Sequence, residues 1–260
     1  ILGMTTTARR EGSDFVIGGS KRFISNAGMS DYYLVFARTS AERNSRSLSA
    51  FVVPAATPGL TVTRYETKMG LRASRTGDLS LDEVRVPASA LVGEPGAGFG
   101  LAINTLRWSR PLIGAVSLGV ARGAFAELAS RVAPDASALR RLGDEEQGRG
   151  HQLAELLLQL TAASALLYEV ADRADSEGVL PAMWRASAAK AFCSDTAMRI
   201  AGAAVELAGL EAAADGSRPG RYFRDAKVLQ IFEGTNQIQK NAIVRELLDA
   251  DVAHLGTARV

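Results

Sequence analysis

The sequence predicts an α+β chain, with an antiparallel β-barrel or sandwich domain over residues 1–94 and a four-helix bundle over 95–260. Three observations carry that reading. Through residue 94, short apolar runs recur between turn-forming groups such as Thr57-Pro58-Gly59, Met69-Gly70 and Arg75-Thr76-Gly77, the spacing of short strands. From Phe99 onward, apolar residues recur at helical spacing and the composition turns to Ala and Leu, which suits closely packed helices. Between the two lies Gly93-Glu94-Pro95-Gly96-Ala97-Gly98-Phe99-Gly100, read as the flexible link between domains. Its glycines lack both the spacing and the βαβ setting of a dinucleotide-binding fingerprint.

In the first half, Phe15-Val16-Ile17, then Gly18-Gly19, then residues 20–24 read as a hairpin, since a glycine pair supplies the positive φ angles of a tight turn. Further strands are expected over 32–37, 48–53, 60–64 and 78–86. The last is the clearest, with Leu79, Leu81, Val84 and Val86 apolar and polar residues between them. In the second half, helices are expected over 99–131, 152–177, 181–210 and 235–248. Pro181 suits a first helical turn. Pro111 removes one backbone hydrogen bond and should bend the first helix.

Composition excludes several function classes. The net charge is +2 with the charges dispersed, so neither a nucleic-acid footprint nor a polybasic membrane patch follows. A single cysteine, Cys193, excludes an internal disulfide and fits a reducing cytoplasm; with no histidine pattern around it, Cys193 reads as a small core residue. His151 and His254 are too far apart in sequence to suggest metal ligation, so no metal site is expected. No apolar run approaches a membrane span and no signal peptide is visible. The chain opens on Ile1 rather than Met and reads as a fragment or a processed chain.

The stretch Arg221–Lys240 holds the chemistry. Glu233 sits between Phe232 and Gly234, and Thr235 or Asn236 stands ready to cap a helix whose apolar positions are Ile238, Ala242, Ile243 and Leu247. On the residues alone two readings stand: an acidic residue decorating a helix start, or a positioned base. The wording Arg224-Asp225-Ala226-Lys227 followed by Ile231-Phe232-Glu233-Gly234-Thr235-Asn236-Gln237-Ile238-Gln239 resembles the C-terminal signature of the acyl-CoA dehydrogenase family. The resemblance implies that Glu233 is the base removing the substrate's α-proton. Gly19-Ser20-Lys21-Arg22-Phe23-Ile24-Ser25-Asn26-Ala27 is similar to the family's flavin-contacting strand and turn, which implies that Phe23 and Ser25 lie against the flavin ring. Residues 69–74 and 81–87 are similar to the closing β-segment.

Arg107-Trp108-Ser109-Arg110 matches the segment approaching the thioester and gives Arg110, with Gly234, a substrate-side role. Some members carry their base on this helix, where Trp108 or Ser109 stands here. Thr235 and Gln237 match positions that contact FAD, often from a neighbouring subunit. The implied protein is therefore a cytoplasmic FAD oxidoreductase of acyl-CoA metabolism. Its partners are an acyl-CoA, an electron acceptor and a second copy or a paralogue, with no nucleic acid.

Three departures shape the alternatives. The family's N-terminal helical domain does not occur in the 260 residues, which reads as truncation and predicts a folded, associating chain with little bound FAD. The family's Arg-x-x-Phe-Gly turn is replaced in Arg131–Gly150, expected as a solvated loop in which Arg140 or Arg141 could substitute for the lost arginine. The glycine-rich FAD loop becomes Glu206-Leu207-Ala208-Gly209-Leu210-Glu211-Ala212, adding side chains and negative charge. These changes motivate a catalytically degenerate subunit that binds a paralogue. Dehydrogenation of a carrier-protein-bound thioester is the other alternative.

Overall fold

The computed structural model describes residues 2–249; His254 lies outside them. The chain divides into two compact units, Ile1–Thr105 and Leu106–Val260.

The first unit is one mixed seven-stranded sheet. Its strands are β1 (Thr7–Glu11), β2 (Asp14–Ser25), β3 (Tyr32–Arg38), β4 (Leu48–Pro54), β5 (Leu60–Tyr65), β6 (Thr76–Pro87) and β7 (Leu91–Val92), in the order β5-β6-β2-β1-β3-β4-β7. All pairings are antiparallel except β1 with β3, which meet in parallel at Thr7 and Arg38. β6 and β7 stand five places apart in that order, about 24 Å on a flat sheet. Only Ala88–Ala90 joins them, and four peptide steps reach at most about 14 Å. The sheet is therefore rolled over its own core, and the Phe15 and Phe51 rings from β2 and β4 meet at 5.0 Å. Among the described residues no ladder joins β5 to β7, so the roll stays open.

Two local expectations change. Residues 15–24 form no hairpin: β2 runs straight through Gly18-Gly19, with a register shift there against β6. The tight turn lies earlier, at Gly12-Ser13, where β1 pairs back on β2. The glycine-rich segment is also not a slack tether. The Gly96 N–H donates to Ser49 Oγ at 2.9 Å, and a Cβ on Gly96 would stand 2.6 Å from the Arg46 carbonyl oxygen. Gly96 is required for that close approach.

The second unit is helical. Its helices are α1 (Gly98–Val132, beginning in the first unit), α2 (Ala136–Asp144), α3 (Gln147–Glu177), α4 (Met183–Ala208), α5 (Leu210–Ala213), α6 (Arg218–Leu229) and α7 (Asn236–Asp249). α1 continues unbroken through Pro111, and Pro181 falls just ahead of α4 rather than in its first turn. α4 is the hub, packed by α3, α6 and α7. Its small buried residues, among them Ala189, Cys193, Ala197 and Ala201, let neighbours approach closely. Burial pushes the Cys193 thiol up to about 12, as an inert core position requires.

The apolar core joins Leu118 and Leu128 of α1, Leu156 and Leu160 of α3, Ile200 of α4 and Ala226 of α6. Its fourth helix is thus α6, not the terminal α7 that periodicity suggested. The expected apolar stripe of α7 stays largely at the surface, with Ile238 and Leu247 exposed, while Asn236 and Gln239 are buried. By length and composition α1 and α3 could each cross a membrane, contrary to the sequence expectation. Here their Leu118, Leu128, Leu156 and Leu160 build the bundle core instead.

Candidate functional site

The site is built on the turn between α6 and α7. α6 starts at an N-cap, Ser217, whose hydroxyl accepts from the Gly220 N–H, and ends at Gln230. The Asn236 N–H returns to the Gln230 carbonyl at 3.0 Å, closing the turn. Inside it Glu233 and Gly234 both adopt left-handed backbone, with φ of 56° and 91°. For a glutamate that conformation costs about 1–2 kcal/mol, and such strain persists only where surroundings impose it. Gln239 Nε2 donates to the Glu233 carbonyl at 3.0 Å and to the Gly234 carbonyl at 2.8 Å. Lys190 Nζ, reaching from α4, donates to the Gly234 carbonyl at 3.0 Å and to Asn236 Oδ1 at 2.8 Å. Thr235 caps α7 loosely, its hydroxyl accepting from the Ile238 N–H at 3.4 Å.

The turn presents the Glu233 carboxylate toward α1, where Ser109 Oγ donates to Oε2 at 2.7 Å. Arg110 follows. It is buried, and its guanidinium donates to Ser187 Oγ at 2.9 Å and to the Met183 sulfur. Burial holds the Arg110 pKa below its usual value, with the Glu233 charge pulling the other way. Lys190 is fully buried, and burial pushes it down to about 8; Asp195 and Glu233 oppose that shift and Arg110 adds to it. Two desolvated cations therefore stand behind a carboxylate whose hydrogen-bond donor is a neutral hydroxyl. Such a carboxylate can take a proton from a substrate held in front of it.

Residues 96–248 match the family model of the acyl-CoA dehydrogenase C-terminal domain, and residues 2–84 match that of the middle domain. The chain belongs to the acyl-CoA dehydrogenase family. Cyclohexane-1-carbonyl-CoA dehydrogenase of Geobacter metallireducens is 41% identical over 243 residues, covering 94% of this chain and 63% of that protein. Butyryl-CoA dehydrogenase from Megasphaera elsdenii is 34% identical with a TM-score of 0.88, covering 95% of this chain and 64% of the other. The prolyl acyl carrier protein oxidase AnaB is 25% identical with a TM-score of 0.87, covering 95% of this chain and 64% of the other. The chain thus spans under two thirds of the length of these relatives.

The residues expected to meet the family's flavin lie in both units. Phe23 is 63% exposed at a left-handed bulge of β2, its N–H donating to Asp78 Oδ1 at 3.1 Å and its ring beneath the Arg22 guanidinium at 4.9 Å. Ser25 is exposed at the end of the same strand, opposite Thr76. An exposed aromatic face beside an exposed hydroxyl fits a planar ring with polar edges. Thr235 and Gln237 stand at the start of α7, Gln237 exposed. Arg110 and Gly234 join Glu233: a Cβ on Gly234 would lie 3.7 Å from the Arg110 guanidinium and 2.9 Å from Gln239 Nε2. Among the described residues no cluster suited to a metal occurs.

The two departures from the acyl-CoA dehydrogenase pattern become ordinary structure. Arg131–Gly150 is not a loop but carries α2, capped by Asp135 through the Ala138 N–H at 2.8 Å, with Ala138 and Leu142 buried. Arg140 and Arg141 are exposed on it. The altered glycine loop becomes the α4 end, Gly209 and α5, with Glu211 paired to Arg131 at 3.3 Å. The residues missed from sequence are Lys190 and Gln239. The available signal was a lone lysine within the alanine-rich stripe Ala186-Ala189-Cys193-Ala197, where a cation needs a partner.

Proposed function

We propose that the protein carries out FAD-dependent α,β-dehydrogenation of an acyl-CoA thioester, with Glu233 as the base that removes the α-proton. The observation that carries this is Glu233 itself: a strained, tightly held turn aims a carboxylate whose hydrogen-bond donor is the Ser109 hydroxyl. The bound flavin supplies the acceptor for the β-hydride, and Phe23 and Ser25 are the residues of the strand unit that would hold its ring. Thr235 and Gln237 are read as FAD contacts offered to a neighbouring subunit, so the active form is an oligomer. Because the Arg110 guanidinium is buried, its substrate role is electrostatic, as a fixed cation behind the thioester end, not a grip on solvent-exposed phosphates. As Glu233 takes the proton, Arg110 and Lys190 lose a counter-charge, which favours negative charge developing on the substrate.

Glu233→Gln keeps shape and removes the base. It is expected to bind FAD normally, as read by flavin absorbance, and to lose turnover. Unchanged turnover overturns the assignment.

A carrier-protein thioester is the second reading, favoured by the likeness to a carrier-protein oxidase at 25% identity. Flavin bleaching by a carrier-bound acyl group, with none by the CoA ester, would establish it. A degenerate subunit is the reading motivated by Glu206 and the rebuilt Arg131–Gly150 segment. A yellow protein bleached by acyl-CoA excludes it.

A further inference from the structure

A lysine with no exposed surface in an alanine-lined helix calls for an explanation, and satisfying neighbours does not supply one. One of the two oxygens that Lys190 Nζ serves already has a second donor: the Gly234 carbonyl accepts from Gln239 Nε2 at 2.8 Å. Burying the ammonium is costly, and an apolar residue of similar length commonly serves stability as well or better. What the lysine adds is direction. Its two acceptors lie one on each side of Thr235, in the segment that follows the left-handed Glu233. Nζ joins that turn to α4, the best-buried helix of the unit. Asn236 is fixed in turn by Ser194 Oγ at 2.9 Å and Asp195 Oδ1 at 2.7 Å, both also on α4.

We propose that Lys190 is a positioning residue for Glu233, a charged brace between α4 and the turn that holds the carboxylate in one orientation. The proposal rests on the reading of Glu233 as the base. A site set on a rigid helix through fixed second partners is placed more narrowly than one left to its own loop. An ammonium shared between a carbonyl and a side-chain amide oxygen supplies charge-assisted hydrogen bonds, the stronger kind. Without Lys190, the Gly234 carbonyl keeps one side-chain donor, a glutamine amide shared with the Glu233 carbonyl. The strained turn then relaxes, and the base wanders from its aim.

The test is Lys190→Met, with Glu233→Gln and Gln239→Met in parallel. Three quantities are read at pH 7: the thermal midpoint, amide hydrogen exchange by mass spectrometry over residues 229–239, and exchange of the substrate α-proton from D2O by the FAD-loaded protein. Lys190→Met is expected to keep or raise the thermal midpoint. It should lose protection in 229–239 but not in the α1 and α3 core peptides, and slow α-proton exchange by about tenfold to a hundredfold. Gln239→Met should lose protection over the same peptide. A scaffold role predicts the opposite pattern, with midpoint and exchange falling together, and that result overturns the proposal. Wild-type protection of 229–239 in Lys190→Met also overturns it. If Glu233→Gln keeps α-proton exchange, the base assignment fails instead, and amide protection of the turn still decides whether Lys190 is its brace.

Discussion

Ser109 Oγ lies 2.7 Å from Glu233 Oε2 across 124 residues of sequence. α1 thereby faces the turn with a hydroxyl. Ser109→Ala removes one neutral-to-charged hydrogen bond, a loss of about 1.5–3 kcal/mol if it is felt in the transition state. The expected outcome is a kcat lower by about twelvefold to a hundred-and-sixtyfold with KM little changed, read by steady-state kinetics on an acyl-CoA. A rise in KM alone would show that Ser109 serves ground-state binding and not the base.

Strain at the turn makes a second prediction, about stability and activity moving apart. Glu233→Gly relieves the left-handed backbone at φ 56° and should raise stability by up to about 1 kcal/mol while turnover is lost. Gly234→Ala does the reverse. It imposes a side chain at φ 91° and sets a Cβ 2.9 Å from Gln239 Nε2, costing about 1–3 kcal/mol. Denaturant midpoints of the two variants should fall on opposite sides of the parent. Both on the same side would mean that the turn is not under the tension its dihedrals indicate.

Sequence pattern found the elements whose faces are chemically distinct, and failed where they are not. β6 was legible because Leu79, Leu81, Val84 and Val86 point one way and charged residues the other. β1, Thr7-Ala8-Arg9-Arg10-Glu11, buries only Ala8 and shows no alternation to read. The glycine pair inside β2 imitates a turn but is absorbed by a change of register. α6 escaped because its buried face is Pro219, Gly220, Ala226 and Leu229, hardly an apolar stripe. Glu233 was singled out as a candidate through its neighbours in sequence. Its brace was not, because Lys190 lies 44 and 46 residues from its two acceptors, and no local period encodes such a contact.

Phe23 tests the flavin reading without any turnover. Its ring is 63% exposed, so Phe23→Ala removes little buried area and should change stability by no more than about 0.5 kcal/mol. A flavin ring resting on it would lose about 1 kcal/mol of stacking. FAD titrated against the variant and followed by flavin fluorescence should bind roughly fivefold more weakly or worse. Equal affinity would remove Phe23 from the cofactor site.

Two buried groups, Lys190 and Cys193, and the half-buried Lys21 give the protein an unusual alkaline profile. Burial pushes Lys21 and Lys190 each down from 10.5 to about 8, and pushes Cys193 up from 9.0 to about 12. Between pH 8 and 10.5 the unfolded chain keeps protons on both lysines that the folded chain has released, so these two make stability rise with pH. Above pH 9 the unfolded thiol ionises while the folded one stays protonated, so Cys193 makes stability fall. The net expectation is a rise from pH 8 to 9, a weaker rise to 10.5 and a decline beyond it. The groups acting on Lys190 are Asp195, Arg110 and Glu233. Lys190→Met should therefore remove about half of the rise between pH 8 and 9, leaving the part due to Lys21. Cys193→Ala should remove the decline above 10.5 and leave the rise intact. Urea unfolding from pH 7 to 11 on the parent and both variants measures this directly. A Lys190→Met slope equal to the parent's between pH 8 and 9 would show that the ammonium is not desolvated as its burial requires.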